Sequence, residues 1–412
     1  MDAAVPALQS GREPARAAVR PAGFPAAGEE VNRAVCRAAL VTAGLLREPW
    51  LAQAFDAVDR EAFVPAAVWL DVLDAEGRWT SVDRAEEPDV WRRAVWDPHR
   101  AVITQLDDGG GDGAGGTGAG QFTSSVSAPD IVLRKLQRLD LEPRARVLEI
   151  GYGSGYHTAL LCERVGAGRV VAVEVDAEVA RSGASRLAAA GYAPELIVAD
   201  GLRGAPGRGP FDRVISTAAV RRVPYAWIEQ SRRNGVILTP FGTAYSNAGL
   251  LRLRVDGTGA KAEGRFVGEA SYMWIRSERP DVRLEVPDGP TGRRSPIDPA
   301  QVLGLGHLQD FAIGLQVPDV SFSHRGDGGS RQVQFVDAAG TSATIVRYAD
   351  WWEEGAVRSW GPRDLWAEVT GAYTWYEVRG RPHLTRFGVT VDRDGQYAWL
   401  DEPGRRLGRS PR

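Results

Sequence analysis

The fold is decided by residues 147–157, which read VLEIGYGSGYH. A short apolar run ends at three glycines spaced two residues apart, Gly151, Gly153 and Gly155. Glycine permits a sharp turn and lets the backbone approach a ligand closely. A buried strand that leads through such a loop into an apolar helix indicates a cofactor site in an α/β fold.

The pattern on both sides of this loop alternates between strand and helix. Apolar runs predict strands at 146–150, 170–175, 196–199, 213–216 and 236–239. Helical spacing predicts helices at 131–139, 158–165 and 177–190. This alternation is typical of a parallel, doubly wound sheet that is covered by helices on both faces.

The spacing of the glycines favours S-adenosylmethionine over a dinucleotide. A dinucleotide fingerprint needs a third glycine at position 156, and we expect Tyr156 to obstruct a pyrophosphate there. Glu174 and Asp200 end the second and third predicted strands, where ligands of parallel sheets bind. Glu174 can accept hydrogen bonds from ribose hydroxyls, and Asp200 can contact an adenine amino group. In the alternative interpretation both are solvated loop acids.

Five segments resemble, in order, the protein-L-isoaspartate O-methyltransferases. They are VDREAFVP at 58–65, TSSVSAP at 123–129, VLEIGYGSGY at 147–156, FDRVISTAA at 211–219 and GVILTPFG at 235–242. The resemblance implies a class I, Rossmann-like α/β methyltransferase that moves a methyl group from S-adenosylmethionine to a peptide side-chain carboxylate, leaving S-adenosylhomocysteine. The ester then closes to a succinimide. An NAD-dependent oxidoreductase and a peptide-binding module with an inactive site are the alternatives.

The resemblance also implies a set of site residues. Ser127 corresponds to the family's active-site serine and Ser125 to its companion hydroxyl. The predicted cofactor-binding residues are Glu149, Gly151, Gly153, Ser154, Gly155, Tyr156, Glu174, Asp200, Gly201 and Thr217. The predicted substrate contacts are Thr123, Tyr152, His157 and Val64, and no metal is predicted.

A hydroxyl at Ser127 suits carboxyl methylation. The carboxylate is ionised at neutral pH and needs no strong base, so its position and its desolvation matter most. In the alternative interpretation Ser127 caps the helix that starts near Pro129, since serine is a good N-cap. His157 can equally be a surface residue in the first turn of a helix.

The chain departs from the repair enzymes of the family. Tyr152 replaces a threonine or serine, His157 replaces a glutamine, and more than a hundred residues follow the methyltransferase sheet. These features resemble a divergent subgroup that methylates aspartate in ring-constrained, ribosomally made peptides such as lanthipeptides, graspetides or lasso peptides. The substrate partner is then a modified precursor peptide and the product an aspartimide or isoaspartate. Repair of isoaspartyl residues in damaged proteins is the alternative.

The predicted organisation has four parts. They are a disordered tail at 1–28, a helical, substrate-side region at 29–130, a methyltransferase core at 131–285 and an α+β domain at 286–412 that recognises the peptide. Helix is expected at 29–68 and irregular chain at 69–106. The glycine-rich segment 107–120 is either a flexible insertion or a mobile lid. The last part is expected to contain hairpins at 332–348 and 386–400 and a helix at 363–379.

Composition narrows the function further. The 412 residues are 43% hydrophobic and carry a net charge of −3, which argues against a general nucleic-acid binder. No apolar run is long enough for a membrane span. Two cysteines, Cys36 and Cys162, exclude a disulfide framework and fit a cytoplasmic protein. The sequence leaves the oligomeric state open.

Overall fold

The computed structural model of the chain describes residues 32–74, 77–110, 120–280, 291–304 and 306–408. The predicted tail at 1–28 and most of the glycine-rich segment lie outside these residues. Within the described part, the strands form a four-stranded N-terminal sheet, a nine-stranded core sheet and a five-stranded C-terminal sheet.

The N-terminal part contains three helices and an antiparallel sheet with the strand order β2-β1-β3-β4. The elements are α1 (Arg33–Thr42), α2 (Pro49–Ala57), β1 (Ala67–Leu73), β2 (Trp79–Asp83), α3 (Pro88–Trp96), β3 (Val102–Leu106) and β4 (Phe122–Val126). The expected helical stretch at 29–68 is two helices, because Gly44 has a positive φ and Pro49 starts a new helix. The prediction of irregular chain at 69–106 is wrong, since this stretch holds most of the sheet.

The core part has the predicted alternation. Its elements are α4 (Pro129–Leu139), β5 (Val147–Ile150), α5 (Tyr156–Val165), β6 (Val170–Glu174), α6 (Ala177–Ala189), β7 (Glu195–Val198), β8 (Phe211–Ser216), α7 (Tyr225–Glu229), β9 (Ser231–Gly242), β10 (Asn247–Val255) and β11 (Ala262–Glu269). Strands β5 to β9 are parallel in the order β7-β6-β5-β8-β9. The predicted doubly wound parallel sheet is confirmed. The strand order reverses between β5 and β8, so a ligand crevice is expected at the carboxyl ends of these strands.

The C-terminal part contributes to two sheets. Its elements are β12 (Thr291–Arg293), α8 (Pro299–Val302), α9 (His307–Gly314), β13 (Val320–Arg325), β14 (Gln332–Asp337), β15 (Ala343–Arg347), β16 (Val357–Trp360), α10 (Leu365–Val378), β17 (Phe387–Asp392) and β18 (Gly395–Leu400). Strands β12 to β16 form the antiparallel C-terminal sheet. Both predicted hairpins and the predicted helix are present.

The last hairpin differs from its predicted place. Strand β17 pairs with β11, so β17 and β18 extend the core sheet. Phe387, Val389 and Val391 alternate along β17 and are buried in the hydrophobic cluster of that sheet. The stretch predicted as one C-terminal domain is therefore divided between the core sheet and the C-terminal sheet.

Helix α10 packs against both units. Leu365, Trp366 and Val369 belong to the hydrophobic cluster of the C-terminal sheet, whereas Tyr376 belongs to that of the core sheet. At the turn after β9, Tyr245 packs against Phe322 of β13 with ring centroids 4.7 Å apart. The C-terminal sheet thus contacts the core at the end where β9 finishes. None of the described helices has the length and apolar character that a membrane span needs.

Candidate active site

The glycine loop between β5 and α5 lies at the reversal of strand order. Gly151 has a φ of +82° and its N–H donates to the Val173 carbonyl oxygen over 2.7 Å. A Cβ at Gly151 would lie 2.7 Å from Thr217 Oγ1, so a side chain is excluded on grounds of space and of conformation. A Cβ at Gly153 would meet no atom within 4 Å. The backbone at Gly153 is therefore the part of the loop that a ligand can approach.

Glu174 joins this loop to the end of β6. Its Oε2 accepts the Gly153 N–H over 3.1 Å, and its Oε1 accepts the N–H groups of Val175 and Asp176 over 2.9 and 3.1 Å. Burial raises the pKa of Glu174 despite these hydrogen bonds. Each carboxylate oxygen has two lone pairs, so Oε1 is fully used and Oε2 keeps one lone pair for a ligand hydroxyl.

The other predicted cofactor residues surround the same strand ends. Thr217, after β8, donates from Oγ1 to the Gly151 carbonyl oxygen and so fixes the loop. Asp200, after β7, is exposed and accepts the Leu202 N–H over 2.9 Å. A cavity of about 380 Å³ beside Asp200 is lined also by Ile197 and Ala199. Ser154 is half-buried, and Gly201 is buried next to Asp200.

Five predicted contacts have side chains turned into the protein interior. Glu149 is fully buried, and its Oε1 lies 2.7 Å from Nδ1 of His157. His157 is buried, so its predicted surface position is wrong. Tyr152 is buried, and its hydroxyl donates to the Ala180 carbonyl oxygen over 3.1 Å. Val64 is buried in the N-terminal hydrophobic cluster.

Tyr156 is the fifth of these residues. Its ring packs against Phe63 at 6.0 Å between centroids, and the Arg60 guanidinium lies 4.9 Å from the ring centroid. The expectation that Tyr156 blocks a pyrophosphate is therefore wrong, because its side chain points away from the loop.

The predicted catalytic hydroxyls of Ser125 and Ser127 and the predicted substrate contact Thr123 lie along β4 and directly after its end. Thr123, Ser125 and Ser127 alternate with the buried residues Ser124 and Val126, so the three share one face at the strand's end. All three are half-buried. Thr123 is already engaged, since its Oγ1 donates to Gln105 Oε1 over 2.9 Å. Ser125 lies opposite Ile103 of β3.

Arg60 holds the end of β4 in place. It is fully buried and donates from Nη2 to the Val126 carbonyl oxygen over 3.2 Å and from Nε to the Val95 carbonyl oxygen over 2.8 Å. Arg60 belongs to the VDREAFVP segment of the family resemblance. The structure gives that segment a physical role, because it fixes the residue that precedes Ser127.

Ser127 does not cap the following helix. The N-cap of α4 is Ala128, which has no side-chain cap hydrogen bond. Lys135, on the buried face of α4, lies with Nζ 4.6 Å from the Tyr272 ring centroid and donates to the Ser216 carbonyl oxygen over 2.6 Å. These contacts connect α4, the helix that follows Ser127, to the end of β8, one residue before Thr217.

A chain of charged groups joins the N-terminal sheet to the end of β6, where predicted cofactor residues lie. The sequence did not predict this chain. Asp108 receives hydrogen bonds from Arg279 over 2.6 and 2.8 Å and lies 3.0 Å from Arg276 Nε. Arg276 also donates to Asp176 Oδ2 over 2.9 Å. Burial opposes ionisation of Asp176, but hydrogen bonds from Val179 N–H, Arg276 and Gln105 lower its pKa to about 2. Asp108 and Arg279 are 171 residues apart, so no local pattern indicates their pairing.

Comparison with known proteins identifies the family. The sequence model described as protein-L-isoaspartate(D-aspartate) O-methyltransferase matches residues 117–273. A protein-L-isoaspartate O-methyltransferase of Methylorubrum populi is 39% identical over 162 residues, which are 39% of this chain and 73% of that protein. The chain belongs to the protein-L-isoaspartate O-methyltransferase family. A relative of the same name from Ignicoccus hospitalis is 40% identical over 125 residues, 30% of this chain and 58% of the relative.

The chain spans just over half the length of several other curated members of the family, as with 54% of the Hyperthermus butylicus protein. A solved structure of a protein-L-isoaspartate O-methyltransferase aligns over 90% of this chain and 100% of its own, with a TM-score of 0.50 and 17% identity. That similarity supports the class I S-adenosylmethionine-dependent methyltransferase fold, here with additional sheets.

Proposed function

We propose that this member of the family is an S-adenosylmethionine-dependent methyltransferase that acts on side-chain carboxyl groups of peptides. The observation that carries the proposal is the position of Ser127. Its hydroxyl lies at the end of β4, which Arg60 holds, and Lys135 ties the following helix to the end of β8 beside the glycine loop. A carboxylate-binding hydroxyl and a cofactor loop are thus fixed to one another through buried contacts.

The residues at the loop suit the cofactor. Gly153 faces open space, which leaves room for a ligand against the backbone. Glu174 keeps one lone pair on Oε2 for a ribose hydroxyl, and the N-terminus of α5 offers backbone N–H groups and a partial positive charge to a carboxylate. The cofactor supplies an electrophilic methyl group on a sulfonium. Glu174 and the helix N-terminus hold its two ends, and Asp200 is exposed for an adenine contact.

The chain's contribution to the chemistry is alignment. In our proposal Ser127 donates one hydrogen bond to one carboxylate oxygen and leaves the second oxygen free to attack. That oxygen's lone pair forms the new O–CH₃ bond while the S–CH₃ bond breaks and sulfur keeps its electron pair. No proton moves in this step, so no general base is required. The nitrogen of the next backbone amide then attacks the carbonyl carbon of the ester. Methanol leaves with the proton of that nitrogen, and a succinimide remains.

Isoaspartate is the substrate side chain that the family relationship favours. The relatives from Methylorubrum populi and Ignicoccus hospitalis are both named for action on L-isoaspartate. By analogy, the preferred substrate of this chain is an isoaspartyl residue in a damaged or modified polypeptide.

Aspartate in a ring-constrained, ribosomally made peptide is the second candidate. The observation in its favour is the C-terminal sheet, which packs on the turn after β9 through Tyr245 and Phe322. This sheet carries Trp352 with 56% of its surface exposed, next to Trp351. Trp352 lies in the loop between β15 and β16, and an exposed indole there is a suitable contact for a folded peptide.

Three peptides separate these candidates. The purified full-length protein is incubated with S-adenosylmethionine and a linear isoaspartyl peptide, its aspartyl twin or a macrocyclised aspartyl precursor, and the products are followed by mass spectrometry. Methylation of the linear isoaspartyl peptide supports the first candidate. Methyl ester followed by net loss of water on the macrocycle alone supports the second. Cofactor binding without methylation of any of the three contradicts the proposed peptide carboxyl substrate.

A further inference from the structure

Five residues form a closed ring of polar contacts between the N-terminal sheet and the start of α6. Thr123 Oγ1 donates to Gln105 Oε1 over 2.9 Å, and Gln105 Nε2 donates to Asp176 Oδ2 over 3.2 Å. Arg276 donates to the same Asp176 oxygen over 2.9 Å, and its Nε lies 3.0 Å from Asp108 Oδ1. The backbone N–H of Asp108 closes the ring by donating to Thr123 Oγ1 over 3.0 Å. The Thr123 hydroxyl is therefore held from two sides.

We propose that Thr123 binds a backbone N–H of the substrate peptide, and that Gln105 is the positioning residue that keeps the Thr123 oxygen free to accept it. This inference rests on the proposed function, because it assigns a second substrate contact beside the carboxylate site of Ser127. It also names the chemical group that this contact recognises, which is a main-chain amide and not a carboxylate.

The Asp176 carboxylate fixes the direction of the hydrogen bonds in the ring. Burial raises the pKa of Asp176, but hydrogen bonds from Val179, Arg276 and Gln105 outweigh burial and lower it to about 2. The ionised carboxylate can only accept, so the amide nitrogen of Gln105 faces Asp176 and its carbonyl oxygen faces Thr123. A carbonyl oxygen has no proton to give, and the Thr123 hydroxyl is therefore the donor in their hydrogen bond.

These directions leave the Thr123 hydroxyl with one unused lone pair. A threonine hydroxyl has one donor and two acceptor lone pairs. Its proton goes to Gln105, and one lone pair takes the N–H of Asp108, which can only donate. The remaining lone pair can accept from a ligand, but no proton is left to give to one. Thr123 is therefore a site for a donor, whereas a carboxylate can only accept and is unsuited to it.

A peptide offers such a donor from its main chain, since each residue other than proline carries one backbone N–H. Thr123 is half-buried on the face of β4 that it shares with Ser125 and Ser127. About 13 Å of extended strand separates Thr123 from Ser127. A peptide spans roughly 3.3–3.6 Å per residue, so the contacted N–H lies within about four residues of the methylated one. Ser127 then holds the carboxylate while Thr123 holds the main chain beside it.

Replacement of Thr123 by valine keeps the shape of the side chain and removes the acceptor. The substrate is the linear isoaspartyl peptide or the macrocycle, whichever the wild type methylates. We expect its KM to rise roughly 3- to 10-fold, as for one hydrogen bond, while kcat and the affinity for S-adenosylhomocysteine stay unchanged. Thr123→Ser retains the hydroxyl and should keep a KM close to that of the wild type. An unchanged KM in Thr123→Val overturns the proposal.

Replacement of Gln105 by methionine tests the positioning role, because the Thr123 hydroxyl is then free to rotate and to donate. We expect KM to rise here too, and the double variant Gln105→Met/Thr123→Val to be no worse than Thr123→Val. Gln137→Met is the matched control, since the half-buried Gln137 amide donates to the Gly44 and Leu45 carbonyl oxygens over 3.1 and 3.3 Å. It should leave KM unchanged. Effects on KM that multiply in the double variant overturn the role of Gln105.

Ester bonds in the main chain of the substrate identify the N–H that Thr123 accepts. Each backbone N–H within about four residues of the methylated position is replaced in turn by an ester oxygen, and KM is measured with wild type and Thr123→Val. We expect one ester to raise the KM of the wild type roughly 3- to 10-fold and to leave that of Thr123→Val unchanged. If no ester behaves in this way, Thr123 accepts no main-chain N–H and the proposal is overturned.

A measurement without substrate separates this inference from the proposed function. In protein labelled with ¹⁵N at the glutamine side chains, the Gln105 amide resonance is identified by its loss in Gln105→Met. We expect it to shift in Thr123→Val, which removes the hydrogen bond to Oε1, and to stay in place in Gln137→Met. An unshifted resonance in Thr123→Val shows that the ring is not formed and overturns the inference. A shifted resonance in a protein that methylates none of the three peptides instead contradicts the proposed function.

Discussion

The backbone N–H of Gly153 donates to Glu174 Oε2 over 3.1 Å. The glycine loop and the end of β6 are therefore held together by the carboxylate that we propose to bind the ribose. Glu174 also accepts two N–H groups ahead of α6. Glu174 thus shapes the loop and presents one acceptor atom, Oε2, to the ligand, so its removal affects both the loop and the ligand contact.

Replacement of Glu174 by alanine tests the cofactor site. We expect the affinity for S-adenosylhomocysteine to fall about 10- to 100-fold, since hydrogen bonds to a charged acceptor are worth roughly 1.5–3 kcal/mol. Isothermal titration calorimetry measures this change. Glu178→Ala, at an exposed position in the first turn of α6, is the control. If Glu174→Ala binds S-adenosylhomocysteine with wild-type affinity, Glu174 does not bind the ribose.

Replacement of Ser127 by alanine tests the catalytic assignment. We expect methyl transfer to slow about 10-fold, because the carboxylate loses one orienting hydrogen bond, while cofactor affinity stays the same. Single-turnover kinetics with the methylated peptide substrate give the rate. Ser185→Ala, at an exposed position of α6, should behave as the wild type. A full rate in Ser127→Ala would remove Ser127 from the mechanism.

Replacement of Arg60 by methionine tests whether Arg60 supports β4, the strand that leads to Ser127. The change leaves the carbonyl oxygens of Val95 and Val126 without their buried donors. We expect the free energy of unfolding to drop by about 2–4 kcal/mol, measured by urea denaturation. Arg181→Met, at an exposed position of α6, should change stability by less than about 0.5 kcal/mol. Equal stability of the two variants would show that Arg60 is dispensable.

The buried Lys135 leads to a prediction about how stability depends on pH. Its pKa is lowered from 10.5 to about 7 by burial, so between these values the unfolded chain binds more protons than the folded one. Wild-type stability must then rise with pH through this window. We expect the stability of Lys135→Met to lack this rise. Relative to the wild type, the variant should be most stable below pH 7. Chemical denaturation at pH 6, 8 and 9.5 compares the two slopes, and identical slopes would contradict a buried, proton-losing Lys135.

Trp352→Ala tests whether the C-terminal sheet contributes to substrate selection. If the second candidate substrate is correct, we expect KM for the macrocycle to rise several-fold while cofactor affinity and activity on linear peptides are unchanged. Val378→Ala, which alters another exposed apolar side chain of the C-terminal part, is the control. An unchanged KM for the macrocycle would exclude Trp352 from recognition. Removal of 286–412 is not a usable test, since it also takes β17 and β18 from the core sheet.

The parts of the fold that the sequence predicts well are those with local signals. Apolar runs between glycines predicted β5, β6 and β8 at nearly their observed bounds. Turn residues at Asp394 and Gly395 likewise predicted the last hairpin. Its partner β11 lies more than a hundred residues earlier, however, and no periodicity reports which strand a hairpin joins.

The residues of the candidate site likewise divide into those that the sequence predicts and those that it does not. Gly151, Gly153 and Glu174 could be predicted because their residue types follow directly from a turn and a strand end. The orientations of Tyr156 and His157 could not, because α5 is buried on nearly all sides in its first turns and offers no polar face. Lys135 gives no signal either, since a lysine among the arginines of α4 looks like a solvent-facing residue.

The pairing of β17 with β11 has a consequence for the order in which the chain can fold during synthesis. The C-terminal sheet is inserted in sequence between two strands that are neighbours in the core sheet. A ribosome must therefore release nearly the entire inserted unit before the core sheet can acquire its last two strands. The edge of β11 stays uncovered throughout that interval, and an open strand edge is a template for pairing with other chains. The nascent methyltransferase is thus most exposed to aggregation just before β17 and β18 leave the ribosome.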